Sequence, residues 1–297
     1  MERIVNVALI QMSCGDDIEQ NYDKAADYIT KAASQGANIV CTQELFKSRY
    51  FCQIVDNTLF NLAEKVDETN PTVQRLCELA ADSAVVVVAS FFEKRASGLY
   101  HNTAVVIDAD GSFLGKYRKM HIPDDPLYYE KFYFTPGDLG YKVFRTAYAD
   151  IGVLICWDQW FPEAARLLAM KGAEVVFIPT AIGHTSLEDE PEGTAYHDAW
   201  EIVQRGHAVA NAFYLACVNR VGFEENPDGN GGIDFWGQSF IADPYGRVVK
   251  RASEDREETL LCPVDLSLVE EVRDGWSFPF RDRRIDSYGD LTKLFLD

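Results

Sequence analysis

Short apolar runs alternate with amphipathic stretches along nearly the whole chain, the pattern of an α/β protein. Val5 to Met12 reads as a first strand. From Asp17 to Gln35, the residues Ile18, Tyr22, Ala25, Ile29 and Ala32 recur at three- and four-residue steps, with Gly36 as the stop. That spacing predicts a helix with one buried face. Asn38 to Thr42 predicts a second, buried strand. Asn70-Pro71 sets a capping side chain before a proline at the first helical position, so a helix is expected to about Ser83. Val85 to Phe92 is a continuous apolar strand, and Thr103 to Asp108 with Ser112 to Tyr117 predicts a hairpin turning at Asp110-Gly111. Ile151 to Cys156 follows as a strand, and Phe161-Pro162 opens a helix that Gly172 closes. Then come a strand at Val175 to Pro179, a long helix at Ala195 to Ala212 and a strand at Tyr214 to Val221. Two strands are expected around the Asp243-Pro244-Tyr245-Gly246 turn and another at Thr259 to Pro263. Hairpins mixed with βα units imply mixed sheets. Two sheets packed on each other, each covered outside by helices, fit this order.

No Pro/Ser-rich linker, low-complexity tract or short repeat divides the 297 residues, so one domain over 1–297 is expected. Its last part, 264–297, reads as a C-terminal tail rich in aromatics and arginine. Apolar runs such as Ala84 to Ala89 fall far short of the roughly 20 residues of a spanning helix. Met-Glu-Arg passes straight into Ile4-Val5 with no basic leader, apolar region and cleavage site, which predicts a cytoplasmic protein. The formal charge of −19 repels polyanions and speaks against nucleic acid as a partner. Seven cysteines without a C-x-x-C pair suit a reducing compartment, where most serve as small buried apolar residues. The five histidines form neither H-x-H nor H-E-x-x-H, so no metal and no cofactor is expected. Gly229-Asn230-Gly231-Gly232 lacks the Lys-Ser/Thr of a phosphate loop and reads as a turn.

Three apolar strands end in a reactive side chain. Asn38 to Thr42 delivers Gln43-Glu44, Leu114 to Arg118 delivers Lys119, and Ile151 to Ile155 delivers Cys156. Singly, each has an ordinary structural explanation; together they are chemically sufficient. A thiol is mostly protonated at neutral pH and needs a base or a positive field to attack. Glu44 would take that proton and return it to a leaving amine, and Lys119 would hold the oxyanion with backbone N–H groups after Cys156. A helix expected to begin just after Cys156 would favour the thiolate.

The blocks Gln43-Glu44-Leu45-Phe46, Tyr117-Arg118-Lys119-Met120-His121-Ile122-Pro123 and Cys156-Trp157-Asp158-Gln159-Trp160-Phe161-Pro162-Glu163 resemble, in order, the signatures of the nitrilase (carbon–nitrogen hydrolase) superfamily. The resemblance implies a four-layer αββα sandwich and a Glu-Lys-Cys triad at Glu44, Lys119 and Cys156. It also implies a second glutamate, matched by Glu130 in Tyr129-Glu130-Lys131-Phe132. Within the family, the stretch after Cys156, the run Lys119 to Pro126 and the ending Arg281 to Asp286 resemble members that act on a small ureido substrate with a cationic amine. This implies hydrolysis of N-carbamoylputrescine to putrescine, carbon dioxide and ammonia through a cysteine thioester. Family members also use their tails between subunits, so a homo-oligomer built from dimers is implied.

A substrate with an ammonium tail needs acidic groups at the end of its pocket. Asp124, Asp125, Glu188, Asp189, Glu190 and Glu192 lie in loops near the triad-bearing strands, and Asp125, Trp157 and His121 are the candidate substrate-binding residues. Most of these acids have an ordinary reading as solvated charges, and His121 one as a loop histidine bonded to backbone. Members that take carboxylate-bearing substrates would want Arg or Lys where this chain offers acidic loops. A catalytically inactive member serving as a binding protein is the alternative of another class, and the presence of all three triad residues argues against it.

Overall fold

The computed structural model describes residues 2–187, 190–276 and 278–296, the side chains of 190–192 excepted. The chain begins β1 (Ile4–Gln11), α1 (Ile18–Ser34), β2 (Ile39–Thr42), α2 (Pro71–Ser83), β3 (Val86–Ala96), β4 (Leu99–Ile107) and β5 (Phe113–Arg118). It continues through α3 (Glu130–Tyr133), β6 (Val143–Arg145), β7 (Asp150–Val153), α4 (Pro162–Met170), β8 (Val175–Pro179), β9 (Gly183–Thr185), α5 (Glu190–Asn211) and β10 (Tyr214–Val218). β11 (Val221–Glu225), β12 (Gly232–Trp236), β13 (Phe240–Ala242), β14 (Val248–Arg251), β15 (Glu258–Asp265) and α6 (Ser267–Trp276) complete it.

Two mixed six-stranded sheets form, ordered β15-β1-β2-β3-β4-β5 and β14-β13-β10-β8-β7-β6, with a small β11-β12-β9 sheet beside them. The parallel triplets β1-β2-β3 and β10-β8-β7 lie at their centres. Alternation along the strands decides the layers. Val7, Leu9, Ile39, Cys41, Val86 and Val88 meet Ile151, Val153, Ile178 and Cys217 between the sheets. The opposite faces, through Ala8, Ile10, Val40 and Val87, pack on Tyr22, Ala25 and Ile29 of α1 and Val73, Leu76 and Ala80 of α2. Both central strands are therefore buried on both faces, which is why they read as unbroken apolar runs. Asp17 caps α1 through bonds from the N–H groups of Glu19 and Gln20, and Asn70 caps α2 at Val73 N, 3.0 Å away. On the second sheet a Cβ at Gly152 would stand 2.8 Å from Leu168 of α4, so glycine there lets the helix lie close. The arrangement is the expected αββα sandwich.

Several boundaries differ from the sequence reading: β3 runs on to Ala96, β4 begins at Leu99 and α5 at Glu190. The strand expected to reach Cys156 stops at Val153. Tyr214 to Val221 is not one strand but parts of β10 and β11, because the Asn219 side chain bonds Ile182 O and Gly237 O and turns the chain into the small sheet. The stretch from 264 does not begin as a tail: β15 runs to Asp265, and α6 docks through buried Leu266, Val269 and Val272. Within this stretch the exposed side chains of Ile285, Leu291, Leu294 and Phe295 lie beyond α6, after Trp276 at its end. The Gly229 to Gly232 segment joins β11 to β12 as the expected turn.

Candidate active site

The first sheet delivers Glu44 and Lys119 to one buried point, where Glu130 of α3 joins them. Glu44 follows β2 after Gln43, whose side chain is anchored to Met12 O at 3.0 Å. The next residue, Leu45, has φ of 51°, a left-handed turn that ends the strand abruptly. Lys119 follows β5, its N–H bonded to Asn102 O at 2.8 Å. Its Nζ donates to Glu44 Oε1 at 2.8 Å and to Glu130 Oε2 at 2.6 Å, with all three side chains fully buried. Asn102 Nδ2 donates to Glu44 Oε1 at 2.7 Å, and Tyr50 OH to Glu130 Oε1 at 2.7 Å. Every carboxylate oxygen has a donor except Glu44 Oε2, which has no hydrogen-bond partner among the described residues. An unpartnered carboxylate oxygen in a dry site is costly and is the atom free to accept a proton.

The second sheet supplies the thiol. Leaving β7, the chain turns at Cys156, whose φ is 41°, and enters a single five-residue 3-10 stretch, Cys156–Trp160. Positive φ at a non-glycine residue costs on the order of 1–3 kcal/mol and persists only where the surroundings enforce it. Here Asp158 enforces it. Its Oδ2 accepts from Ile155 N at 3.0 Å and Tyr117 OH at 2.7 Å, and its Oδ1 from His121 N at 3.0 Å, with His121 Nδ1 also at 2.7 Å. Asp158 thus ties the cysteine turn to the loop that follows Lys119. The Sγ of Cys156 lies 3.9 Å from Ala181 O.

Electrostatics couple the two halves. Burial opposes charge on Lys119, but Glu130 and Glu44 overcome it and hold the ammonium well above the ordinary lysine range. Burial, then the Glu44 charge, push the Cys156 thiol well above its usual range, and Lys119 only partly offsets them. The expected help from a helix terminus is missing, because α4 starts only at Pro162. The resting thiol is therefore neutral. Burial also raises Glu130 to about 7, with Lys119 pulling the other way. Folded Glu130 thus binds its proton more tightly than an unfolded glutamate near 4.5. Its contribution to stability is complete below about pH 4.5 and is lost as pH rises through about 7. Each unit between the folded and unfolded values corresponds to about 1.4 kcal/mol. Glu130→Gln is expected to flatten this slope. Denaturant titrations of both proteins across that window check it, and identical pH dependence would exclude a titrating Glu130.

The other predicted residues lie around this centre. His121 is bonded to Asp158 and stacks on Phe161, ring centroids 3.7 Å apart, so its partner is a carboxylate rather than the backbone oxygen expected. Trp157 is half-buried, its ring 6.2 Å from that of Trp160. Asp124 and Asp125 are exposed, and Asp125 opens a turn closed by Tyr128 N to Asp125 O at 2.8 Å. Glu188 and Asp189 lie outside the described residues, as do the side chains of Glu190 and Glu192. Sequence reasoning missed Tyr50, Asn102 and Asp158. Asn102 could have been found as a polar residue within an apolar strand, had β4 been extended back to Leu99. Also missed was a cavity of about 580 Å³ with Asp234, Glu254, Asp255, His184, His197 and Trp236 on its wall. β9 leads to it from Ala181, beside the thiol.

A buried thiol facing a carboxylate–ammonium–carboxylate cluster has the parts that acyl transfer through sulfur requires: nucleophile, proton acceptor and oxyanion partner. Comparison with known proteins agrees with that class. The carbon–nitrogen hydrolase family model matches residues 6–274, and the chain belongs to that family. It is 48% identical over 294 residues to an N-carbamoylputrescine amidase of Solanum tuberosum, covering 98% of this chain and 96% of that protein. A citrullinase of Francisella tularensis is 41% identical, with 98% and 99% covered. The crystal structure of a carbon–nitrogen hydrolase from Helicobacter pylori G27 superposes with a TM-score of 0.94 at 44% identity, covering 99% of this chain and all of that one.

Proposed function

We propose that the protein hydrolyses N-carbamoylputrescine to putrescine, carbon dioxide and ammonia. The observation that carries the chemistry is the free Oε2 of Glu44, whose other oxygen is pinned by Lys119 and Asn102. Glu44 takes the Cys156 proton as sulfur attacks the ureido carbonyl carbon. The Lys119 ammonium, with the N–H groups after Cys156, holds the oxygen that gains charge. Collapse breaks the bond to the terminal nitrogen, Glu44 returns the proton, and ammonia leaves behind a carbamoyl thioester. Water, deprotonated by Glu44, attacks that thioester; the thiolate departs and is reprotonated. The released carbamic acid decomposes to amine and carbon dioxide. Glu130 holds Lys119 from the opposite side throughout.

The substrate assignment rests on the potato relative and on the acidity around the site. Exposed Asp125 and the Asp234–Glu254–Asp255 wall are the groups suited to an ammonium tail, with Trp157 flanking the reacting carbonyl. The citrullinase relative favours a second reading, in which the same ureido chemistry acts on an amino acid bearing both ammonium and carboxylate. β-Ureidopropionase, ω-amidase, N-carbamoyl-D-amino-acid hydrolase and nitrilase activities keep the triad with other substrates. Ammonia release from N-carbamoylputrescine, L-citrulline and N-carbamoyl-β-alanine separates them. The expected kcat/KM is about 100-fold higher for the first, since a carboxylate would meet a surplus of acidic groups. Preference for either amino acid overturns the diamine assignment while leaving the thiol chemistry in place. A cytoplasmic homo-oligomer, joined through the apolar residues beyond α6, completes the reading. Among the described residues no helix is long and apolar enough to cross a membrane.

A further inference from the structure

We infer that the buried pair Arg220–Glu224 is a positioning device for the reacting carboxylate, holding loop 44–50 in the conformation that presents Glu44 to Lys119 and Cys156. The inference rests on Glu44 being the proton acceptor. Arg220 sits between β10 and β11, fully buried, on the part of the chain that leaves the second sheet. Its Nη2 donates to Glu44 O at 3.0 Å and Leu45 O at 3.1 Å, and its Nη1 to Ser48 O at 2.9 Å and Glu224 Oε1 at 2.6 Å. Glu224 Oε2 accepts from Tyr50 N at 2.6 Å. These bonds fall within residues 44–50, whose two ends carry Glu44 and Tyr50, and Gln53 Nε2 adds one to Glu224 O at 3.2 Å.

The geometry explains why a guanidinium is needed. The left-handed turn at Leu45 brings the carbonyls of 44 and 45 to one side, where their oxygens repel unless a cation sits between them. Ser48 O and Glu224 Oε1 join them, so four acceptors converge on one side chain. A planar fork spans that set; a single ammonium does not. Glu224 balances the buried charge and passes the restraint to Tyr50, whose hydroxyl fixes Glu130. The backbone that carries Glu44 and, through Tyr50, the carboxylate of Glu130 are therefore referenced to the same guanidinium. An error of about 1 Å in such a constellation costs about 100-fold in rate.

The test uses the full chain carrying Arg220→Lys or Glu224→Gln, with Glu44→Gln alongside. Turnover of the best substrate of the panel is measured, competent sites are counted from the folded fraction in a urea transition, and KM is obtained separately. Arg220→Lys is expected to lose about 30-fold or more in kcat per folded site with KM within about threefold, and Glu224→Gln to fall between it and wild type. A pair that merely stabilises the fold would lower the melting temperature and the number of competent sites but leave kcat per site unchanged, and that result overturns the inference. Should Arg220→Lys not fold, Glu224→Gln is read by the same criterion. Wild-type turnover in Glu44→Gln would remove the proton acceptor and the positioning role together. An inactive Glu44→Gln beside unaltered kcat per site in the pair variants removes the positioning role alone.

Discussion

Cys156→Ala is expected to lower kcat for ammonia release by about 10⁴-fold or more while leaving the fold intact, because the proposed nucleophile is lost. Among the described residues the sulfur's hydrogen-bond contact is the 3.9 Å approach to Ala181 O, so thermal unfolding should be nearly unchanged. Cys156→Ser keeps a hydroxyl in place but offers a far weaker nucleophile, and it is expected to stay within about tenfold of the alanine variant. Steady-state ammonia assays decide this. Residual activity above a tenth of wild type in the alanine variant would mean that the bond is cleaved without a thioester. Trapping of a carbamoylated Cys156 by acid quench gives the positive counterpart.

Lys119→Met should damage both activity and stability. It strips the cation from between Glu44 and Glu130, leaving two buried carboxylates with no charge between them. Breaking a buried ion pair from one side costs about 3–5 kcal/mol, and losing the oxyanion partner costs about 10³-fold in kcat. The stability loss is expected to shrink toward acid pH, because a proton on Glu130 then replaces the missing charge. Lys119→Met/Glu130→Gln should recover part of the stability and none of the activity. Urea unfolding of both variants at acid and alkaline pH checks this; equal destabilisation at the two ends would show that the cluster is not held together by charge.

What could be read from the sequence was whatever chemistry is local along it. Glu44 and Lys119 each stand just past a strand and Cys156 a short way beyond β7, and the apolar runs leading to them were visible without any contact information. Glu130 was visible only through its surrounding motif, since the four-residue α3 is too short for helical periodicity to show. Tyr50, Asp158 and Arg220 were not legible, because their meaning lies in partners far along the chain, and Asn102 would have shown only as a polar break in β4. Arg220 acts on a residue 176 positions away and Tyr50 on one 80 away. The fold shows the same division. The two large sheets follow from apolar runs, whereas three-residue strands such as β6 and β9 owe their existence to neighbouring strands rather than to their own composition.

The neutral resting thiol has a consequence for life in an oxidising cell. Peroxide and soft electrophiles react with thiolates, so susceptibility follows how much of a cysteine is ionised and how exposed it is. Cys156 is 4% exposed and held protonated by burial and by Glu44, and on both counts it is a poor target while the site is empty. Proton transfer to Glu44 becomes productive only when a carbonyl is there to receive the electron pair. Such an enzyme arms its sulfur one substrate at a time, and idle copies would survive an oxidative burst that inactivates thiol enzymes with a standing thiolate.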